Sequence, residues 1–322
     1  MRKTSRVILT FCLSLSLVTP LAAQNQQHDA LPVVASFSIL ADWVRQIGGE
    51  HVSVHSLVEI DQDSHVFRAR PQDVRKVTQA ELLVVNGLGF EGWLERLIAA
   101  SGYRGEVLVA SKGIDRLLSV DREDDHHSHH DHGHHHGHDH EAHTDPKKSY
   151  DPHAWHSLNA AKIYTSNIAQ ALSRIAPAHA KDFTAALNSY HNKLDALKAR
   201  YQPIIAQIPA AQRQIVVPHN SFAYLGREFG LTIHALQGIS TEAESSAQDL
   251  ARIVTEIRKH KVRAIFLENV SNPRLIEQVQ RETGVMLGGE LISDALSRNR
   301  AETYLALMEH NLRLITEALA RP

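Results

Sequence analysis

The residues with the clearest chemistry are histidines. The stretch Tyr150-Asp151-Pro152-His153-Ala154-Trp155-His156 follows an eighteen-residue run, His126 to His143, that holds eleven of the chain's 23 histidines. Neutral imidazole is a ligand for borderline transition metals. The chemistry on offer is therefore metal coordination, with zinc the leading ion. His65, His219 and Asp294 belong with His153 as candidates, because each falls one loop beyond the end of a predicted strand. Three imidazoles and a carboxylate make a tetrahedral set for Zn2+, with bonds of about 2.0–2.2 Å. Four protein ligands leave no position for a nucleophilic water, which favours carriage of the ion over hydrolysis.

Each candidate also has a plainer reading. A lone loop histidine is more often a surface or hydrogen-bonded side chain, and Asp294 could cap the following turn. Glu268 could cap a helix or support a ligand rather than be one. His156 could bind a second ion, but its place at a helix start reads better as exposed. Phe67, Trp155 and Phe222 read as core packing that would also keep water from a metal.

The elements around these residues alternate. Leu31–Phe37 and Leu82–Val85 are apolar runs of strand length, and His51 to Val58 alternates polar with apolar. Ile39 to Ile47 has helical spacing, a helix opens at Pro71, and Trp93 to Ala100 is helical. Val107 to Ala110 is a fourth strand. The first half thus reads βαβαβαβ, the pattern of a parallel sheet with helices on both faces. The second half repeats it. Strands are expected at Ile215–Val217, Thr232–Leu236, Ala264–Leu267 and Val285–Leu291. Helices are expected at Phe222–Phe229, Ala247–His260 (capped by Ser245 or Ser246), Asn272–Thr283 and Ala301–Leu319. In open α/β sheets ligands bind outside the carboxyl ends of the strands, so two facing halves would bring the four candidates into one cleft.

Between the halves, Ser157 caps a helix running to about Ile175, and Pro177 restarts it. Phe183, Leu187, Tyr190, Leu194, Leu197, Tyr201, Ile204 and Ile208 then step by fours and threes, a single apolar stripe. A helix over 177–208 would reach about 48 Å, with Pro203 as a kink point. A coiled-coil dimer would show the same stripe. The strands and helices that resume at once favour a strut packed along two lobes.

The fold class is accordingly α/β: two parallel-sheet lobes bridged by one long helix, with the metal site between them. The expected divisions are a signal peptide over 1–23, a first lobe over 30–156 with a disordered His-rich insertion at 121–148, a helical region over 157–212, and a second lobe over 213–322. Arg2, Lys3 and Arg6 ahead of the apolar Val7–Val18, with Pro20-Leu21-Ala22-Ala23 after it, predict export and cleavage after Ala23. The one cysteine, Cys12, lies inside that leader, behind a bulky Phe11 that does not suit a lipid-anchor site. The mature chain then has no thiolate, so a metal must use nitrogen and oxygen. Lys and Arg total 34 against 36 Asp and Glu, not the basic footprint of a nucleic-acid binder.

From Leu31 onward the chain resembles the periplasmic solute-binding proteins of zinc and manganese ABC transporters (cluster A-I). The matching pieces are Asp63-Ser64-His65-Val66-Phe67, Asn86-Gly87-Leu88-Gly89-Phe90-Glu91, Asp151-Pro152-His153-Ala154-Trp155, His219-Asn220-Ser221-Phe222-Ala223-Tyr224, Gln237-Gly238-Ile239-Ser240-Thr241 and Ser293-Asp294-Ala295-Leu296. Their order along the chain makes the resemblance specific. It implies a non-enzymatic carrier with Zn2+ as transported ligand and His65, His153, His219 and Asp294 as its ligands. It also implies a periplasmic monomer whose partners are an inner-membrane permease with its cytoplasmic ATPase, and a periplasmic zinc chaperone. Manganese members usually carry glutamate at the third histidine, so His219 favours zinc. The His-rich insertion with an aspartate fourth ligand most resembles the AztC subgroup. Asn220 stands where the family often has Asp, and Arg68 and Arg70 where it often has Glu and Thr or Ser. The alternatives are a manganese carrier of the same family, a zinc-dependent hydrolase and a surface adhesin. No His-Glu-x-x-His occurs in the chain, and Glu268 is the only nameable base for a hydrolase.

Overall fold

Buried apolar runs make the central strands and an alternating run makes an edge. β1 (Leu31–Phe37) is buried along nearly its whole length, as a parallel strand covered on both faces must be. α1 (Ser38–Gly48) follows, presenting Ile39, Leu40, Trp43, Val44 and Ile47 to the core at helical spacing. β2 (Val52–Val58) carries the alternating sequence and lies at the sheet edge. α2 (Pro71–Gln79), β3 (Leu82–Val85), α3 (Leu94–Ser101) and β4 (Glu106–Val109) complete a parallel sheet ordered β2-β1-β3-β4. β5 (Ser119–Val120) and β6 (Ser149–Tyr150) pair antiparallel, a short ribbon that local sequence did not predict.

The computed structural model describes residues 30–120, 149–242 and 246–320. The leader 1–23 with Cys12, the run His126–His143 and Ser245 lie outside the described residues. Among the described residues no helix is long and apolar enough to cross a membrane.

α4 (Leu158–Ile175) begins at Ser157, whose side chain accepts from Ala160 N as the expected cap. A 3-10 turn, Pro177–His179, leads into α5 (Ala180–Gln207). At 28 residues α5 reaches about 42 Å. It packs along α1 of the first lobe and along elements of the second, so it is a strut rather than half of a coiled coil.

The second lobe comprises β7 (Gln214–His219), α6 (Ala223–Phe229), β8 (Thr232–Gln237), α7 (Ala247–His260), β9 (Ala264–Glu268), α8 (Arg274–Thr283), β10 (Met286–Leu291) and α9 (Tyr304–Ala320). Its sheet is ordered β8-β7-β9-β10, the same strand order as the first lobe. Gly230 and Gly284 end α6 and α8 in the left-handed region, each at φ 70°, where a side chain would be strained. Ser246, one of the two expected caps, caps α7 in a box with Asp249.

One apolar core runs through both lobes. Trp43 of α1 packs its ring 5.0 Å from Tyr164 of α4 and 4.7 Å from Tyr304 of α9. A smaller cluster around Val216, Ile253, Ile265 and Ile276 fills the far side of the second sheet.

The expected stripe on α5 holds from Phe183 to Tyr201 and then shifts. Past Pro203 the buried residues are Ile205 and, as expected, Ile208, while Ile204 is 43% exposed. Leu194 is fully buried in the strut's seam. Leu194→Ala should therefore destabilise the protein by about 2–5 kcal/mol. Ile204→Ala should change stability by less than about 0.5 kcal/mol. Denaturant midpoints measure both, and equal losses would contradict the shifted seam.

Candidate metal centre

Three loops and the end of one strand converge in the cleft. His65 lies in the loop after β2. Its backbone N donates to Asp63 Oδ1 (2.8 Å), and Trp93 Nε1 donates to the adjacent Ser64 carbonyl (3.0 Å). Asp63 Oδ2 accepts from Thr241 Oγ1 of the second lobe at 2.6 Å, so this turn is tied across the cleft. The ring of Phe90 covers His65 at 5.0 Å.

His153 follows the ribbon strand β6 and is fully buried. Asp151 Oδ1 accepts from both its backbone N (2.9 Å) and its Nδ1 (2.8 Å). A proton held on Nδ1 leaves Nε2 as a lone pair facing the cleft. The preceding Pro152 carbonyl accepts from Asn86 Nδ2 (3.0 Å), and Asn86 Oδ1 accepts from Tyr164 OH (2.6 Å). Glu91 holds the backbone N–H groups of Asn86 and Gly87. Burial pushes the Glu91 carboxyl up against those hydrogen bonds.

His219 is the last residue of β7 rather than part of a loop beyond it, a correction to the expected strand end at Val217. Parallel pairing with β8 carries the strand through Pro218 to His219. Its Nδ1 donates to Glu268 Oε2, at the end of β9. Glu268 therefore orients a histidine, one of the two roles expected of it, and its carboxylate is occupied.

Asp294 follows β10 and is fully buried. Its loop is pinned from three sides. Asn269 accepts from Ser293 N (3.1 Å) and donates to the Ala295 carbonyl (3.0 Å). Trp155 Nε1 donates to the Ser293 carbonyl (3.1 Å), and Asn311 bonds both N and O of Ile292.

The four side chains meet. His65 Nε2 and His219 Nε2 each lie 3.2 Å from Asp294 Oδ2, His153 Nε2 lies 3.7 Å from Asp294 Oδ1, and His65 Nε2 lies 3.4 Å from His153 Nε2. Tetrahedral ligands on a Zn2+-like ion are spaced about 3.3–3.5 Å apart, given bonds of about 2.0–2.2 Å. Both Asp294 oxygens and His219 Nε2 are buried without a well-directed hydrogen bond to any protein group. Desolvation opposes the Asp294 charge, but His219 and His153 beside it hold the carboxyl well below its usual range.

Two expectations fail here. His156 is not exposed: it is fully buried in the 3-10 turn Ala154–His156, with its ring 4.5 Å from Phe222. Burial pushes its pKa down to about 3, so it stays neutral. It is absent from the converging cluster. Nor does Asp294 cap the following turn, since neither of its oxygens has a well-directed hydrogen-bond partner. Sequence reasoning also missed Asp151, Asn269, Asn311 and the Asn86–Tyr164 pair. Asp151, two residues before a candidate ligand, offered the only local signal.

The site joins two α/β lobes of like topology, which makes this a two-lobed binding protein of the metal-carrier class. The family described as "ZnuA: Zinc-uptake complex component A periplasmic" matches residues 33–318, and the chain belongs to it. This is a family of ABC-importer substrate-binding proteins, not of enzymes. The "Manganese ABC transporter substrate-binding lipoprotein PsaA" of Streptococcus mitis is 28% identical over 324 residues, covering 97% of this chain and 98% of that protein. The "periplasmic zinc binding protein TroA" of Treponema pallidum superposes with a TM-score of 0.78 at 26% identity, covering 91% of this chain and 100% of that one. A Mn-bound periplasmic metal binding protein of Candidatus Liberibacter asiaticus gives a TM-score of 0.75 at 26% identity, over 89% of this chain and 98% of that one.

Asn311→Ala would leave the buried N–H and C=O of Ile292 without partners. The expected cost is about 1–3 kcal/mol for each group, read from a denaturant melt of the metal-free protein. A neutral outcome would show that the Asp294 loop does not depend on this support.

Proposed function

We propose that the chain is the zinc-binding component of a bacterial ABC importer. It takes up Zn2+ in the periplasm with His65, His153, His219 and Asp294 and delivers it to an inner-membrane permease driven by a cytoplasmic ATPase. The observation that carries this reading is the buried Asp294 carboxylate, which faces three imidazole nitrogens at 3.2–3.7 Å and no other protein donor. A buried charge of that kind is tolerated when a cation completes its surroundings.

The named relatives include manganese and zinc binders, so similarity leaves the ion open. The donor set favours zinc. Three imidazoles and one carboxylate at tetrahedral spacing suit Zn2+, whereas Mn2+ prefers more oxygen and a larger shell. His219, where manganese members usually carry glutamate, points the same way. The His126–His143 run with an aspartate ligand supports placement near the AztC subgroup. That run would gather ions ahead of the fixed site. Cleavage after Ala23 would release the chain with Gln24 first, and N-terminal sequencing of the periplasmic protein checks this.

The cleft is tied by Thr241–Asp63, Trp155–Ser293 and Tyr304 OH–Trp155 O hydrogen bonds, and the core beneath it is continuous. Wide hinge opening would break all of these. His65 is the one candidate ligand with any exposure, at 7%, so release runs through movement of its loop.

The ion is tested by competition titration and elemental analysis. Zn2+ should bind more tightly than Mn2+ and should copurify; preferential Mn2+ would establish the manganese alternative. His153→Ala should abolish most of the affinity. Asp151→Ala, which removes only the orienting carboxylate, should cost about 10–100-fold. Affinity should also fall with pH. Desolvation pulls the His219 pKa down, but Glu268 and Asp294 outweigh it and hold it well above 6.5. The metal-free site therefore keeps a proton that Zn2+ must displace. Acidification favours the proton, beginning above pH 6.5, by up to about tenfold per pH unit for each proton displaced. A pH-independent affinity would refute the scheme.

A further inference from the structure

Three strands of the second sheet serve the cargo site. β7 ends in His219, β9 ends in the orienting Glu268, and the loop after β10 carries Asp294. β8 ends at Gln237, and the loop that follows it, residues 238–242, adds no ligand to the cluster. That loop instead reaches across the cleft. Thr241 Oγ1 donates to Asp63 Oδ2 at 2.6 Å, and Oδ1 of the same carboxylate accepts from the backbone N of His65 at 2.8 Å. At its other end the loop is fastened beside a second ligand. Asn220 N, next to His219, donates to the Gly238 carbonyl at 3.0 Å.

We propose that Thr241 is a positioning residue that sets how fast the ion enters and leaves, by latching the His65 turn through Asp63. The base of that turn is pinned. Asp61 N donates to the Leu296 carbonyl at 2.9 Å, and Asp61 Oδ2 accepts from Arg298 N at 3.2 Å. Asp61 itself sits at φ 60°, a left-handed value that aspartate tolerates. Beyond this base, Thr241 holds the turn to the second lobe. A hydroxyl donating to a carboxylate makes a short, strong contact. An ordinary bond between two surface loops would leave a ligand unaffected. Here the acceptor also holds the backbone of His65, so freeing Asp63 loosens the ligand itself.

The latch stands at the ion's way out. A cavity of about 520 Å3 opens at His65, lined by Val66 and Trp93 from the first lobe and by Glu242, the residue after Thr241, from the second. His65 is the candidate ligand with exposed surface; the side chains of His153, His219 and Asp294 are fully buried. The ion therefore passes between the His65 turn and the Thr241 loop in both directions. A contact broken only during passage slows capture and release by the same factor and leaves the affinity unchanged. The inference rests on the reading of the four side chains as the cargo site, and it adds the element that times the exchange.

The test uses the full chain with one equivalent of Zn2+. Release into excess fluorescent chelator and capture of free Zn2+ are followed by stopped flow, and affinity by competition titration. Thr241→Val keeps the shape of the side chain and removes the donor. It should speed capture and release alike by about tenfold, the low end for a hydrogen bond to a charged group, with affinity changed by less than about twofold. Thr241→Ser returns the donor and should return both rates to those of the wild type. Ser246→Ala, which removes the cap of α7 in the same lobe, should lower the melting midpoint and leave both rates unchanged. Wild-type rates in Thr241→Val, equal rates in Thr241→Val and Thr241→Ser, or an affinity loss as large as the gain in release rate would overturn the latch alone. A wild-type chain that takes up no Zn2+ would overturn the cargo-site reading and the latch with it.

Discussion

A carboxylate with no access to solvent dictates much of this architecture. Asp294 is fully buried, and neither oxygen has a well-directed protein donor. Removing such a charge from water costs several kcal/mol unless something positive meets it. What meets it is a ring of imidazole nitrogens, two of them backed by carboxylates on their far side: Asp151 behind His153 and Glu268 behind His219. These backing groups fix which nitrogen keeps a proton and which turns inward. A divalent cation at the centre, as proposed above, would offset two of the three negative charges that converge there.

The rest of the fold supplies rigidity to that arrangement. Two sheets of the same strand order present their carboxyl ends to a common cleft, which His65, His219 and Asp294 enter from the sheets and His153 from the ribbon strand β6. The sheets are not separate bodies. Trp43, Tyr164 and Tyr304 interlock across helices of both halves, and α5 runs alongside. Hydrogen bonds from Asn86, Asn269, Asn311 and Trp155 hold the backbone beside the histidine and aspartate loops. Preorganised ligands lose little freedom on capture, which favours tight binding. The same stitching restricts how the ion can leave.

Elements with strong local signals were legible before any coordinates. β1 matches its expected residues, and α2 opens at Pro71 as the fixed φ of proline suits. α7 begins at a capping box and α6 and α8 end at glycine, all features written within a few residues. The misses share a cause. β7 extends to His219 because its neighbour β8 continues to pair with it, which no local propensity records. The β5–β6 ribbon joins residues nearly thirty positions apart. The seam of α5 runs through Ile205 rather than Ile204; Tyr201, Ile205 and Ile208 are still spaced by four and three, so spacing alone allowed either isoleucine. His156, polar and placed at a helix start, is buried because Trp155 and Phe222 close around it.

By itself the sequence determined the alternation of strands and helices and the strut between the halves, because periodicity and caps are local properties; it also offered four side chains as candidate metal ligands. Only the tertiary structure decided that these four donors stand within 3.7 Å of a neighbour and that Asp151 and Glu268 orient two of them. It also decided that Asp63 and Thr241, far apart in sequence, share a hydrogen bond across the cleft. Distances of that kind arise from packing between remote segments, and no single stretch of chain encodes them.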